Sequence, residues 1–193
     1  MRICIYGASG NELAKLHFDT AERLGGLIAS GGHSLVFGGG AGGLMGACAR
    51  AALEAGGEVI GVAPRFFDEP GILLSGCTAF HFTKTMSERK SLMAELSDAF
   101  LALPGGIGTW EEFLETLTQK QLGLHAKPMV LLNTLDYYGP LLSMFERAAE
   151  GRFLSRRCFS LFSLCSEPEE AIDCLLNAHP VSGDVFRLSD YSR

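Results

Sequence analysis

The 193-residue chain lacks several things that would have placed it quickly. It has no uninterrupted apolar run of the ~18 residues that a membrane-spanning helix needs. Its opening residues, Met1-Arg2-Ile3-Cys4-Ile5-Tyr6, carry neither the long apolar stretch nor the cleavage site of a secretory signal, so a cytoplasmic protein is expected. There is no basic excess: 22 Asp and Glu against 16 Lys and Arg leave a formal net charge of −6. That balance argues against bulk nucleic-acid binding, which needs a basic face to displace counterions. The six cysteines (4, 48, 77, 158, 165 and 174) form no C-x-x-C and have no histidine pair at zinc-ligand spacing. They read as buried, reduced thiols. His17, His33, His81 and His179 form no metal set either, so no metal and no cofactor is expected.

Other features are ordinary. Hydrophobic residues make up 47% and charged residues 20%, a globular balance that excludes a disordered chain. The length fits one domain large enough to do without a disulfide or metal staple. The expected organisation is a single domain over residues 1–180, followed by a polar tail over 181–193.

Glycine is the excess. There are 24, well above the usual ~7%, and they cluster where one kind of segment meets another. Short apolar runs (2–6, 34–37, 58–63, 78–82, 99–103, 128–132 and 159–164) alternate with helical periods (12–30, 44–55, 85–97, 109–122, 137–150 and 168–176). This alternation predicts an α/β fold, a doubly wound parallel sheet with helices on both faces. Ligands in such folds bind at the carboxyl ends of the strands. Residues 65–77 are the least regular stretch, a length of loop that is often functional.

Three glycine loops join a strand to a helix, where backbone N–H groups and the helix dipole can hold an anion. They are Gly7-Ala8-Ser9-Gly10, Gly38-Gly39-Gly40-Ala41-Gly42-Gly43 and Pro104-Gly105-Gly106-Ile107-Gly108-Thr109. The second contains a formal G-x-G-x-x-G. It lies at the second turn rather than the first, and the next strand ends Ala63-Pro64-Arg65 without a carboxylate, so dinucleotide binding is disfavoured. Close packing, or lining a different phosphate site, are the alternatives. In the third loop, Gly105, Gly106 and Gly108 let the backbone approach a ligand, and Thr109 offers a hydroxyl. Glu111 and Glu112 are expected in the first helical turn, where they either complement the dipole or serve the ligand. Ser87-Glu88-Arg89-Lys90 opens the preceding helix and brings adjacent cations toward a strand end.

Together these segments resemble the "lonely guy" cytokinin-activating phosphoribohydrolases, often mislabelled lysine decarboxylases. The motif P-G-G-x-G-T-x-x-E matches Pro104–Glu112, G-G-G-x-x-G-L-M-G matches Gly38–Gly46, R-K matches Arg89-Lys90, and Q-L-G-x-H-x-K-P matches Gln121–Pro128. The likeness covers residues 1 to about 177. Two positions depart from it: Ser87 stands where a histidine is common, and Gly71 where many members carry an acid, with Asp68 and Glu69 close by. The resemblance implies a Rossmann-like homodimer that cleaves the N-glycosidic bond of a purine nucleoside 5′-monophosphate, of cytokinin type or AMP, to free base and ribose 5-phosphate. It implies Arg89 and Glu112 as catalytic. It implies Gly39, Gly40, Lys90, Gly105, Gly106, Ile107, Gly108, Thr109, Glu111 and Thr118 as substrate-binding. The charge balance and the lack of a long apolar run leave neither nucleic acid nor membrane as an expected partner. A non-catalytic purine-nucleotide-binding protein is the alternative. Pyridoxal-dependent decarboxylation finds no specific context around Lys84 or Lys90. Trp110 and His125 read as packing residues.

Overall fold

The computed structural model describes residues 1–178. The expected tail, His179 and the end of the expected domain lie outside the described residues. Seven strands alternate with six helices among them: β1 (Arg2–Tyr6), α1 (Lys15–Ser30), β2 (Ser34–Phe37), α2 (Gly43–Glu54), β3 (Val59–Pro64), β4 (Ala79–Thr83), α3 (Met86–Leu96), β5 (Ala99–Ala102), α4 (Ile107–Gln121), β6 (Met129–Leu132), α5 (Gly139–Glu150), β7 (Ser163–Cys165) and α6 (Pro168–Leu176). The strands form one sheet in the order β4-β3-β2-β1-β5-β6-β7. Every neighbouring pair is parallel, as the alternation predicts.

Alternating side chains of one strand point to opposite faces, and the two faces carry separate cores. Ile3 and Ile5 join Leu24, Ile28, Ala47 and Ile172, from α1, α2 and α6. Cys4 and Tyr6 join Met93, Phe113, Leu117 and Tyr138, from α3, α4 and the entry to α5. Helices therefore cover both faces, and near-continuous apolar strands are the result. All six cysteines are free, and no helix among the described residues is long and apolar enough to cross a membrane.

Two boundaries differ from the expectation in instructive ways. Helix α4 starts at Ile107, with Gly106 as an extended cap (φ −88°, ψ −156°). The glycine segment thus supplies the first helical turn, and Glu111 and Glu112 fall in the second turn rather than the first. The last strand is Ser163–Cys165 rather than 159–164. Residues Arg156–Ser160 form a 3-10 turn instead, begun by Ser155, whose hydroxyl accepts from the Arg157 N–H at 3.3 Å.

The connection from β1 runs to β2, and that from β5 runs to β6, on opposite sides. The two strands are neighbours, so a crevice opens beyond their carboxyl ends, the usual ligand position in such sheets. The Ala8 N–H donates to the Pro104 carbonyl at 3.0 Å and the Leu103 N–H to the Tyr6 carbonyl at 2.9 Å, tying the two exits together.

Helices α1 and α2 approach closely because Gly25 has no side chain: a Cβ there would lie 2.1 Å from the Cys48 carbonyl oxygen. Gly25→Ala is expected to destabilise the fold by about 1–3 kcal/mol, the usual cost of overpacking. Gly26→Ala, where a Cβ meets nothing within 4 Å, is expected to stabilise it by up to ~1 kcal/mol through helix propensity. Urea midpoints of the two variants check the contrast.

Candidate active site

A cavity of about 650 Å³ occupies the crevice. All three glycine loops reach it, through Gly7, Gly38, Gly40, Gly42, Gly106 and Gly108. The helix starts at two of these loops differ in what their N–H groups do. At α2, Gly43 donates to Asn11 Oδ1 at 2.8 Å and Leu44 to the Ala8 carbonyl at 2.9 Å. Gly46 donates to the Gly42 carbonyl at 3.1 Å. The donors of α2 are thus consumed by the chain itself, which explains why the G-x-G-x-x-G match does not make a dinucleotide site. At α4, Trp110 donates back to the Gly106 carbonyl, while the N–H groups of Ile107, Gly108 and Thr109 have no acceptor among the described residues. These are the unclaimed donors at the positive end of a helix dipole, and their residues line the cavity.

Gly105 is needed for this turn. A Cβ on it would lie 2.1 Å from Thr109 Oγ1 and 2.8 Å from the Ala8 nitrogen. The Tyr137 hydroxyl donates to the Gly105 carbonyl, and the Tyr138 hydroxyl donates to the Leu103 carbonyl at 2.6 Å. The entry to α5 thereby pins the exit of β5.

On the opposite wall, Thr85 caps α3 by accepting from the Glu88 N–H at 3.1 Å, and the Glu88 carboxylate accepts from the Lys84 N–H at 2.8 Å. This local arrangement, close to a capping box, starts the helix so that Arg89 turns inward. Arg89 Nη1 donates to Glu112 Oε1 at 2.6 Å, and its Nε donates to the Val62 carbonyl at 3.2 Å. Both partners are buried, Arg89 at 6% and Glu112 at 7% exposure. The Arg89 Nη2 group fits only because residue 38 is glycine, since a Cβ there would lie 1.8 Å away. Burial raises the Glu112 carboxyl above the ordinary carboxylate range, against the opposing pull of Arg89.

Of the residues expected at the site, Arg89, Glu112, Gly40, Gly106, Ile107, Gly108 and Thr109 line the cavity. Gly39 and Gly105 shape its walls without lining it; Gly39 holds φ +78° against Phe80. Lys90, Glu111 and Thr118 lie elsewhere. Lys90 pairs with Glu111 and, at 2.6 Å, with Glu115 on the outer side of α3 and α4. The Thr118 hydroxyl is exposed and donates to the Leu114 carbonyl at 2.7 Å.

The sequence reading missed Asn11, Glu115, Met86 and Tyr137. Asn11 follows a recognised glycine loop, but its acceptor role toward the Gly43 N–H spans 32 residues and left no local signal. The others depend on contacts distant in sequence. The 65–77 loop also finds its place. Ala41 donates to the Ile72 carbonyl at 2.9 Å and Leu74 to the Gly39 carbonyl at 2.8 Å, so the loop lies along the second glycine loop. Phe67, Ile72 and Leu73 thereby form an apolar wall of the cavity.

Known proteins resemble this chain over most of its length. Residues 45–175 match a family model described as possible lysine decarboxylase. A cytokinin riboside 5′-monophosphate phosphoribohydrolase of Rhodococcoides fascians is 50% identical over 153 residues, 79% of this chain and 77% of that protein. The chain belongs to the lonely guy family. Another member, a cytokinin riboside 5′-monophosphate phosphoribohydrolase of Arabidopsis thaliana, is 36% identical over 97% of this chain and 82% of its own. Among solved structures, the molybdenum cofactor carrier protein of Chlamydomonas reinhardtii superposes with a TM-score of 0.69 at 27% identity, covering 92% of this chain and 98% of that one. The lonely guy fold is thus shared with a carrier protein, while the relatives of higher identity are named as phosphoribohydrolases.

The buried pair gives a direct test of its own energetics. Arg89→Met leaves Glu112 as a buried carboxylate without its cation, and about 3–5 kcal/mol of stability at neutral pH is expected to be lost. The variant's carboxyl then lies still further above its unfolded value. The deficit therefore shrinks as pH is lowered through that carboxyl's folded pKa and the group becomes neutral. Denaturant titrations at a series of pH values read this directly.

Proposed function

We propose that this chain hydrolyses the N-glycosidic bond of a nucleoside 5′-monophosphate, releasing free base and ribose 5-phosphate. The observation that carries the reading is the pairing of three unclaimed N–H groups at α4 with a buried Arg89–Glu112 pair in one cavity. The relatives' names support the same reaction.

The 5′-phosphate sits on the N–H groups of Ile107, Gly108 and Thr109, where charge and donors both suit an anion. The bond between C1′ and the base nitrogen then breaks, and its electron pair leaves with the base. Positive charge develops on the ribosyl ring, as in other glycosidic cleavages. Glu112 is the carboxylate placed to stabilise that charge and to orient the water that attacks C1′. The water's oxygen stays on the sugar, and the base ends with a proton on nitrogen. Arg89 stays protonated, so it acts on the departing base as a fixed positive charge rather than as an acid. Both groups are held before substrate arrives, so little reorganisation remains for the reaction itself.

The apolar wall of Phe67, Ile72 and Leu73 favours a base that carries an apolar substituent, of the isoprenoid adenine type. On α4, Ile107 and Trp110 are 80% and 43% exposed. This apolar face supports the homodimer as the working form. Six free thiols support a reducing, cytoplasmic setting.

Chromatography of products formed from AMP and from isopentenyladenosine 5′-monophosphate tests the reading. Equimolar base and ribose 5-phosphate are expected, with the isopentenylated substrate preferred. Glu112→Gln and Arg89→Ala are each expected to lower kcat/KM by about 10²–10³, the scale for losing one electrostatic contact to a transition state, while nucleotide still raises the melting temperature. The acid limb of kcat/KM is expected above the ordinary carboxylate range, because burial raises Glu112 and its ionised form is the working one. Binding without cleavage in the wild-type protein would make it a nucleotide-binding protein instead.

A further inference from the structure

A second hollow, of about 790 Å³, lies toward the far edge of the sheet, between the end of α4, the strands β6 and β7, and helix α6. It shares no lining residue with the active-site cavity. Its apolar floor includes Met129, Leu161 and Phe162. Among these apolar groups stands Lys120, one of five lysines in the chain and only 7% exposed.

The other lysines are accounted for differently. Lys15 pairs with Asp19, Lys90 with Glu111 and Glu115, and Lys127 donates to the Ala94 carbonyl at 2.7 Å. Lys84 is exposed. The Lys120 amine has no hydrogen-bond or ion-pair partner among the described residues, although carboxylates surround the opening. Those of Glu167 and Glu169 are taken by Arg23, and that of Glu170 accepts from the Ser166 N–H at 2.9 Å. Asp173 and Cys174 of α6 also line the hollow without reaching the amine. His125, in the segment after α4, is the other titratable group within its electrostatic reach. The side chain is largely withdrawn from water and its ammonium meets no opposite charge among the described residues, a costly arrangement. The cost falls when the nitrogen becomes neutral, and a neutral nitrogen carries a free lone pair.

We propose that the Lys120 amine is an acyl acceptor, modified by small uncharged active esters and thioesters that enter the hollow between β7 and α6. The lone pair attacks the acyl carbon. An N–C bond forms, the bond from carbon to the alkoxide or thiolate leaving group breaks, and the amine proton passes to water. The product is an amide, which removes the buried charge permanently. An uncharged donor suits the opening because its rim is acidic, and an acyl phosphate would be repelled there. The assignment does not depend on the hydrolytic reading of the first site.

Burial also brings the Lys120 amine down to about 8, so much of it is free base at pH values where an ordinary lysine is almost wholly protonated. The test is limited acetylation of the folded protein with p-nitrophenyl acetate, followed at each lysine by peptide mass spectrometry. At pH 7.5, Lys120 is expected to acetylate measurably faster than exposed Lys84, because burial leaves much of the Lys120 amine as free base at that pH. Its rate is expected to level off above pH 8. In urea-unfolded protein the two rates are expected to converge. Lys120→Arg should remove the fast product and leave Lys84 labelling unchanged. A Lys120 rate equal to or below that of Lys84 in the folded protein, or an advantage that survives unfolding, would overturn the proposal.

Discussion

Arg89 and Glu112 come from different helices, 23 residues apart, and meet at 2.6 Å with almost no solvent on either. Removing two charges from water costs several kcal/mol each, repaid only by close geometry and further hydrogen bonds. Much of the surrounding structure supplies that geometry. Residue 38 is a glycine because the guanidinium occupies the space a side chain would take. The Val62 carbonyl, within β3, accepts from the Nε–H. The Thr85 and Glu88 cap determines where α3 begins, and hence which way its fourth residue points. Helix α4 must begin at Ile107 for Glu112 to face inward, and the Gly105–Gly106 turn makes that start possible.

The same turn leaves three backbone donors unused beside the ion pair. A helix end can hold an anion only if its N–H groups are free, and α2 and α4 show the two outcomes in one molecule. Both follow glycine loops and both start beside the crevice. Asn11 and Ala8 fill the first, whereas nothing among the described residues fills the second. A motif match counts glycines but not the residues that approach from another loop. The G-x-G-x-x-G of Gly38–Gly43 therefore contributes a wall, and the P-G-G-x-G-T segment contributes the donors.

The parts of the site legible in the sequence were the local ones. Pro104 to Glu112 is one continuous strand–turn–helix unit, so its glycines, its hydroxyl and its carboxylate stand in fixed relation whatever packs around them. The alternation of apolar runs with helical periods likewise announced the parallel sheet and its two covered faces. Less legible was which side of a helix a residue would occupy. Lys90 follows Arg89 directly, and neighbouring helical residues diverge by about 100°. One therefore enters the cavity while the other pairs outward with Glu111 and Glu115. Thr118 faces outward on α4 in the same way.

By itself, the sequence determined the element order, the glycine turns and the family, because each rests on residues close together along the chain. Only the tertiary structure decided which helix end keeps its donors and where the 65–77 loop lies, with its apolar residues against the second glycine loop. It also decided that Lys120 is buried without a partner among the described residues. These depend on what arrives from distant segments. A lone pair, a free N–H group or an unpaired ammonium is defined by what does not reach it, and that is settled only when the whole sheet has closed around its two cores.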